Sequence, residues 1–414
     1  MEKEFALLSA AGINAIGLLI SPSHLPNSKF AAGLHMVAEV AAHSNTKIIL
    51  ELWGNPWAED YARYGSVVHE FFQAHPNAFV VRDEKPILVF AFDSSQSPQV
   101  HNPQTSPTAS IADFLTPWGG RQGVYIMTYL PYVLRTALNS PIVQLSDAVD
   151  VWTPQDDWSA RHSSVVFDVG QRMRKEIAFP VAPAFYQRRA GQPPMEYGNS
   201  FGAARYLDAW RQAIAKNPQF INIQTWNDLS EDSAVVPTNT AGYTWLHLTS
   251  YFTKWLADNH EPFVETERVM LFHPKQLVSA KLTNPKERAE NARWRHGSPT
   301  VDYINVVTVL RQSATIRVRL GAQTWEKRVQ AGLRDWVIYV SSSPEANAFQ
   351  TTVPVSSEFR YVTIAKEFEA GAPVVEVVKS SGSIEKLTSK LPFLSSGEWQ
   401  DFTIIADEIA LSAD

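Results

Sequence analysis

The 414-residue chain contains no cysteine. Disulfides, thiolate metal sites and cysteine nucleophiles are therefore excluded. No apolar run approaches the ~20 residues that a membrane-spanning helix needs. No basic run stands out and the formal net charge is only −6, which points away from nucleic acid as a partner. The opening Met1-Glu2-Lys3-Glu4 lacks the basic start and apolar core of a secretory signal, and no Asn-x-Ser/Thr acceptor occurs anywhere. What remains is an ordinary globular composition, 45% hydrophobic and 19% charged, in a chain long enough for two domains.

Apolar runs and helical patterns alternate through the first 260 residues. Helical periodicity over residues 3–11 ends at Gly12, and the first apolar run, Ile13 to Ile20, follows. Further runs occur at Lys47–Trp53, Lys85–Asp93, Gly123–Leu130, Ala148–Trp152, Phe179–Phe185 and Phe220–Trp226, with helical segments between most of them. Strands separated in this way predict a parallel sheet with helices outside. The count is seven, one short of an eight-stranded (β/α)8 TIM-type barrel. After about residue 260 the pattern changes to short alternating runs divided by Gly, Ser and Asn, from Tyr303–Leu310 through Phe349–Val355 to Phe402–Ile405. That pattern predicts an all-β sandwich, with the barrel over 1–260 and the β domain over 261–414.

The stretch Phe220 to Asp232 carries the chemistry. It begins as a strand and ends in acids, with Asp228 and Glu231 three apart just past the strand end. Loops there open on the face of a parallel barrel where active sites are built. Two carboxylates in such a place suit glycoside hydrolysis, one protonating the leaving oxygen and one acting across the sugar ring. The plainer alternative makes Asp228 a helix cap and Glu231 a solvated turn residue. Glu51, Trp53, Asp93, Tyr129, Trp152 and Tyr186 lie at or near strand ends, and Asp156 follows one. In a barrel these converge on one mouth, where carboxylates accept sugar hydroxyls and aromatics stack on rings.

The run Ile223-Gln224-Thr225-Trp226-Asn227-Asp228, followed by Glu231, resembles the signature of glycoside hydrolase family 71, the α-1,3-glucanases or mutanases. Weaker likeness runs from Glu4 to about Val355, including Ala11–Ile16 and Tyr243–Lys275. The resemblance implies that Asp228 and Glu231 are the catalytic acids of an inverting hydrolase of α-1,3-glucan or a related α-glucan; Glu231 is taken as acid and Asp228 as base, with the swapped assignment open on sequence alone. It further implies that the absent strand is the first of the barrel, that Trp226 and Asn227 join the substrate site, that no cofactor or metal is needed, that the substrate is a polysaccharide or oligosaccharide, and that the protein is extracellular. Leu229 and Ser230 depart from the Tyr and Gly usual in the family. Those departures and the missing strand favour a second reading, a catalytically inactive barrel that binds glycan. A third is a hydrolase of another glycan resembling the family 99 endo-mannosidases.

Two other patterns are set aside. Gly198-Asn199-Ser200-Phe201-Gly202 fits a nucleophile elbow, but an elbow must follow a strand, and Pro193 and Pro194 precede it. Asn199 or Ser200 is expected instead to cap the next helix. His35 and His43, eight apart on one helix, lack a third ligand for a metal.

Overall fold

The apolar runs of the first half become neighbouring strands of one sheet in the computed structural model. It describes residues 1–20, 28–53, 61–91, 107–130, 141–151, 167–168, 170–189, 192–198, 200–284, 293–294, 301–340 and 359–412. The strands are Ala15–Ile20, Lys47–Trp53, Lys85–Ala91, Tyr125–Leu130, Ala148–Val151, Glu176–Val181 and Phe220–Ile223, and their order across the sheet is their order in the chain. The first six pair in parallel. A short strand, Val81–Arg82, folds back on Lys85–Ala91. The helices Ser28–Ala42, Tyr61–Ala74 and Pro107–Leu115 occupy crossovers that parallel pairing demands, and Glu2–Ala10 precedes the first strand.

The sheet curls. The rings of Tyr125 and Phe220 lie 6.2 Å apart although two strands separate theirs, a span of about 14 Å in a flat sheet. The inward face is lined by Ile87, Val89, Met127 and Ala178. The N-terminal ends of the strands are plugged by polar groups: Arg82 pairs with Glu176, and the Tyr125 hydroxyl donates to Glu176 at 2.6 Å. Among the described residues the sheet does not close. Ala15–Ile20 and Phe220–Ile223 are its two ends, and among the described residues neither pairs with the other. Gly17 and Leu19 are exposed on the first of these strands, whereas Ile87–Phe90 in the middle of the sheet is wholly buried. The α/β barrel short of one strand is thus the architecture observed.

By internal packing the chain forms two units. One is Met1–Trp152, Arg161–Pro180 and Lys216–Asn222; the other is Thr153–Ala160, Val181–Ala215 and Ile223–Asp414. Within the second, five strands order as Arg360–Ala365, Gly332–Val340, Tyr303–Leu310, Arg268–Pro274 and Ile404–Ala410. Four more order as Gln323–Val329, Ala314–Leu320, Val374–Val378 and Ile384–Thr388. Val306, Trp336 and Ile338 of the first sheet share one core with Ile316, Val318 and Val375 of the second, which makes a sandwich. The strand expected at Phe349–Val355 lies outside the described residues.

The other face of the five-stranded sheet is covered by two helices, Ala204–Lys216 and Thr244–Asp258. Trp245 meets Phe272 at 5.0 Å, and Trp210 stacks on Phe252 at 5.4 Å. A buried ion cluster fastens the first helix. Arg360 donates from Nε to Asp335 at 2.5 Å, from one terminal nitrogen to Asp208 at 2.7 Å and from the other to the Ala204 carbonyl at 2.7 Å. Burial works against the charge on Arg360, but the Asp208 and Asp335 carboxylates outweigh it and hold its pKa above the ordinary arginine value. Breaking such a pair leaves a carboxylate buried without its partner, at a cost of about 3–5 kcal/mol. Arg360→Met is therefore expected to lower unfolding free energy by about that amount in urea melts; a loss under about 1 kcal/mol would show that the cluster is incidental.

Candidate active site

The segment after Phe220–Ile223 is a loop tied at its neck. The Gln224 N–H donates to the Val181 carbonyl at 2.8 Å, the last rung before the chain leaves the strand. The Gln224–Thr225 peptide is cis. Thr225 N–H then donates to Ser233 O at 3.0 Å, and Val235 and Val236 donate to Trp226 O at 3.1 and 2.9 Å. The Trp226 ring is buried and anchors this neck. Residues 227–232 are the tip, with Asn227 and Leu229 exposed and Asp228 and Glu231 half-buried.

The two acids are built differently. Asp228 lies in an Asx turn. Its Oδ1 accepts from Ser230 N–H at 3.0 Å, Ser230 hydroxyl at 2.6 Å and Glu231 N–H at 3.1 Å. Its own N–H donates to Thr225 Oγ1 at 2.8 Å. The capping geometry is real, but no helix follows, since the next begins at Thr244. Glu231 is held by its main chain and its carboxyl. Its carbonyl accepts from Tyr186 N–H at 2.8 Å, and Oε1 accepts from Gln187 Nε2 at 3.1 Å.

The support for this loop comes from far downstream. Asp232, in the left-handed region at φ 52°, accepts from Ile404 N–H at 2.8 Å. The Tyr186 hydroxyl donates to Gln400 O at 2.9 Å, and its ring meets the edge of Phe402 at 6.1 Å. Ala406 N–H donates to Thr240 O at 2.9 Å. Residues 400–406 thus form a rail against which the loop is set.

The residues expected at the site are placed as follows. Asp228, Glu231, Trp226 and Asn227 share the loop, and Tyr186 touches it through its backbone while its ring packs inside. Tyr129 is buried on the inward face of the parallel sheet. Asp93, Trp152 and Asp156 lie outside the described residues, as does the side chain of Trp53. Glu51 lies against Gly17, where a Cβ would come within 2.0 Å of its carboxyl oxygen, so only glycine leaves it room. Burial pushes the Glu51 carboxyl up to about 7. Gln187 was not anticipated, and its one cue in the sequence is a polar residue straight after an apolar run.

The patterns set aside resolve physically. A strand, Gln192–Gly198, does precede Ser200, but it is a hairpin arm antiparallel to Phe185–Arg189 with its two prolines at the start. Ser200 is buried, and the first turn of the following helix is capped by Asn305, whose Oδ1 accepts from Ala203 N–H at 2.9 Å. His35 meets His75, not His43, at 2.8 Å. Among the described residues no group of three or more His, Asp or Glu is arranged to hold a metal.

Burial pushes the Asp232 carboxyl up to about 7; the Ile404 N–H opposes the shift and the Asp401 carboxylate adds to it. An unfolded aspartate titrates near about 3.9. Between those values the native chain keeps a proton that the unfolded chain has released, so stability falls as pH rises through the window. Asn keeps the accepting oxygen and tolerates the left-handed backbone. Asp232→Asn is expected to remove this slope, so that its thermal midpoint exceeds that of the wild type increasingly from pH 5 to 8; parallel pH profiles would contradict the assignment.

Comparison with known proteins follows the same lines. The profile of glycosyl hydrolase family 71 matches residues 1–343. Glucan endo-1,3-alpha-glucosidase agn1 of Schizosaccharomyces pombe is 26% identical over 174 residues, and the match spans only 38% of each chain. Among solved structures, the GH99 endo-alpha-mannosidase from Bacteroides thetaiotaomicron is 13% identical, with a TM-score of 0.47 over 62% of this chain and 79% of that one. SrfJ from Salmonella typhimurium is 13% identical, with a TM-score of 0.39 over 80% and 82%. The family profile covers most of the chain and includes both acids: the chain belongs to glycosyl hydrolase family 71.

Proposed function

We propose that this chain is an inverting glycoside hydrolase acting on α-1,3-glucan or a related α-glucan. The observation that carries the reading is the tied loop that presents Asp228 and Glu231 together past the end of a parallel strand. Family membership and the named activity of the yeast relative support the substrate class. Glu231 gives its proton to the leaving glycosidic oxygen as the C1–O bond breaks. Asp228 takes a proton from a water whose oxygen bonds to C1 from the opposite face. That geometry needs the two carboxyls about 6.5–9.5 Å apart, room for one water. Asn227, exposed beside them, can bond a sugar hydroxyl.

Inversion of an α-linkage gives a β-configured reducing end as the first product, which proton NMR of the early reaction reads directly. Asp228→Asn retains an oxygen that can accept the three loop hydrogen bonds, so it tests the chemistry with the loop intact. Asp228→Asn and Glu231→Gln are each expected to lose about 10²–10⁴-fold in reducing ends released from α-1,3-glucan while still binding it. Near-normal turnover in either variant removes that residue from the pair. Release of reducing ends from mannan but not from the α-glucans would move the substrate to another class, and binding without any turnover by the wild type would make the chain a glycan-binding barrel.

A further inference from the structure

We infer that Gln187 is a positioning residue for the Glu231 carboxyl, holding it in the orientation from which it protonates the leaving oxygen. The inference rests on the reading of Asp228 and Glu231 as the acid pair. Gln187 lies on the strand Phe185–Arg189, and its Nε2 donates to Glu231 Oε1 at 3.1 Å. Successive side chains of a strand point to opposite faces. Tyr186 therefore goes into the packing, its hydroxyl on Gln400 O, while Gln187 faces the loop. The Tyr186 N–H also holds the Glu231 carbonyl at 2.8 Å. Two adjacent residues of one strand thus grip Glu231, one at its main chain and one at its carboxyl.

The chemistry of an amide fits the task. A glutamate side chain turns about three bonds, and an unanchored carboxyl samples positions useless for proton transfer. A lysine or arginine at position 187 would fix the carboxyl but hold it ionised, which disables an acid. An uncharged amide can donate to the carbonyl oxygen of a protonated carboxyl, so it fixes orientation without requiring loss of the proton.

The test separates positioning from packing by the leaving group. A glucan oligomer ending in dinitrophenolate departs without a proton, so a defect confined to the acid vanishes on it. Gln187→Met keeps the volume and removes the donor. It is expected to lose about 10–100-fold in kcat on α-1,3-glucan, with KM within about twofold and with turnover of the dinitrophenyl substrate near that of the wild type. Gln187→Glu, which sets two carboxyls against each other, is expected to show the same split and serves if the Met variant does not fold. Equal loss on both substrates, or no loss on glucan, overturns the inference. Glu231→Gln, run beside them, keeps the two failures apart. Full turnover of glucan by that variant sinks the acid-pair reading itself, whereas a dead Glu231→Gln with an unaffected Gln187→Met sinks only the role of Gln187.

Discussion

A single carboxylate oxygen, Asp228 Oδ1, holds the loop that carries the acids. It gathers three donors from Ser230 and Glu231 and so turns the chain back on itself within three residues. Because one of those donors is the Glu231 main chain, the oxygen that shapes the loop also sets where the second acid starts. In the proposed reaction, the residue that closes the turn would also serve the chemistry. The three-residue spacing is what an Asx turn closes, so the spacing that reads as a catalytic pair and the spacing that reads as a cap have the same physical origin.

The loop does not stand alone. Its neck is closed by Thr225, Trp226 and Ser233–Val236, and its far side rests on residues 400–406 through Asp232 and Tyr186. Those residues lead into Ile404–Ala410, an outer strand of the five-stranded sheet. The sandwich therefore contributes more than bulk. Its apolar core backs the sheet, the Arg360 cluster and the Trp245–Phe272 contact fasten helices to it, and residues 400–406 at its edge hold the loop through Asp232 and Tyr186. In the reaction proposed above such placement would matter, since an error of about 1 Å costs roughly a hundredfold in rate.

Much of this was open to reading from local pattern. The strands at the centre of the first sheet, such as Ile87–Phe90, show most plainly as apolar runs, because a strand buried on both faces has no polar alternation to confuse it. Ala314–Leu320 and Val374–Val378 show for the opposite reason, since one face of each meets the core. Strands with weaker patterns escaped notice. Ile384–Thr388 carries one buried leucine, and Gln276–Leu282 alternates only in part. Gln192–Gly198 is obscured by prolines at its second and third positions, beside an irregularity in its pairing with Phe185–Arg189.

The sequence by itself determined the family and the run of strands that makes the α/β half-barrel, because both depend on residues close together in the chain: apolar runs, their spacing, and a motif of nine positions. Tertiary structure decided which side chains face the acids. Tyr129 sits near a strand end as expected, whereas the strand expected at Phe179–Phe185 is Glu176–Val181 and Tyr186 lies at the start of the next strand, Phe185–Arg189; both rings are buried. Gln187 reaches Glu231 across 44 residues and Ile404 reaches Asp232 across 172. Such contacts leave no local periodicity, because they depend on where distant segments are brought by packing.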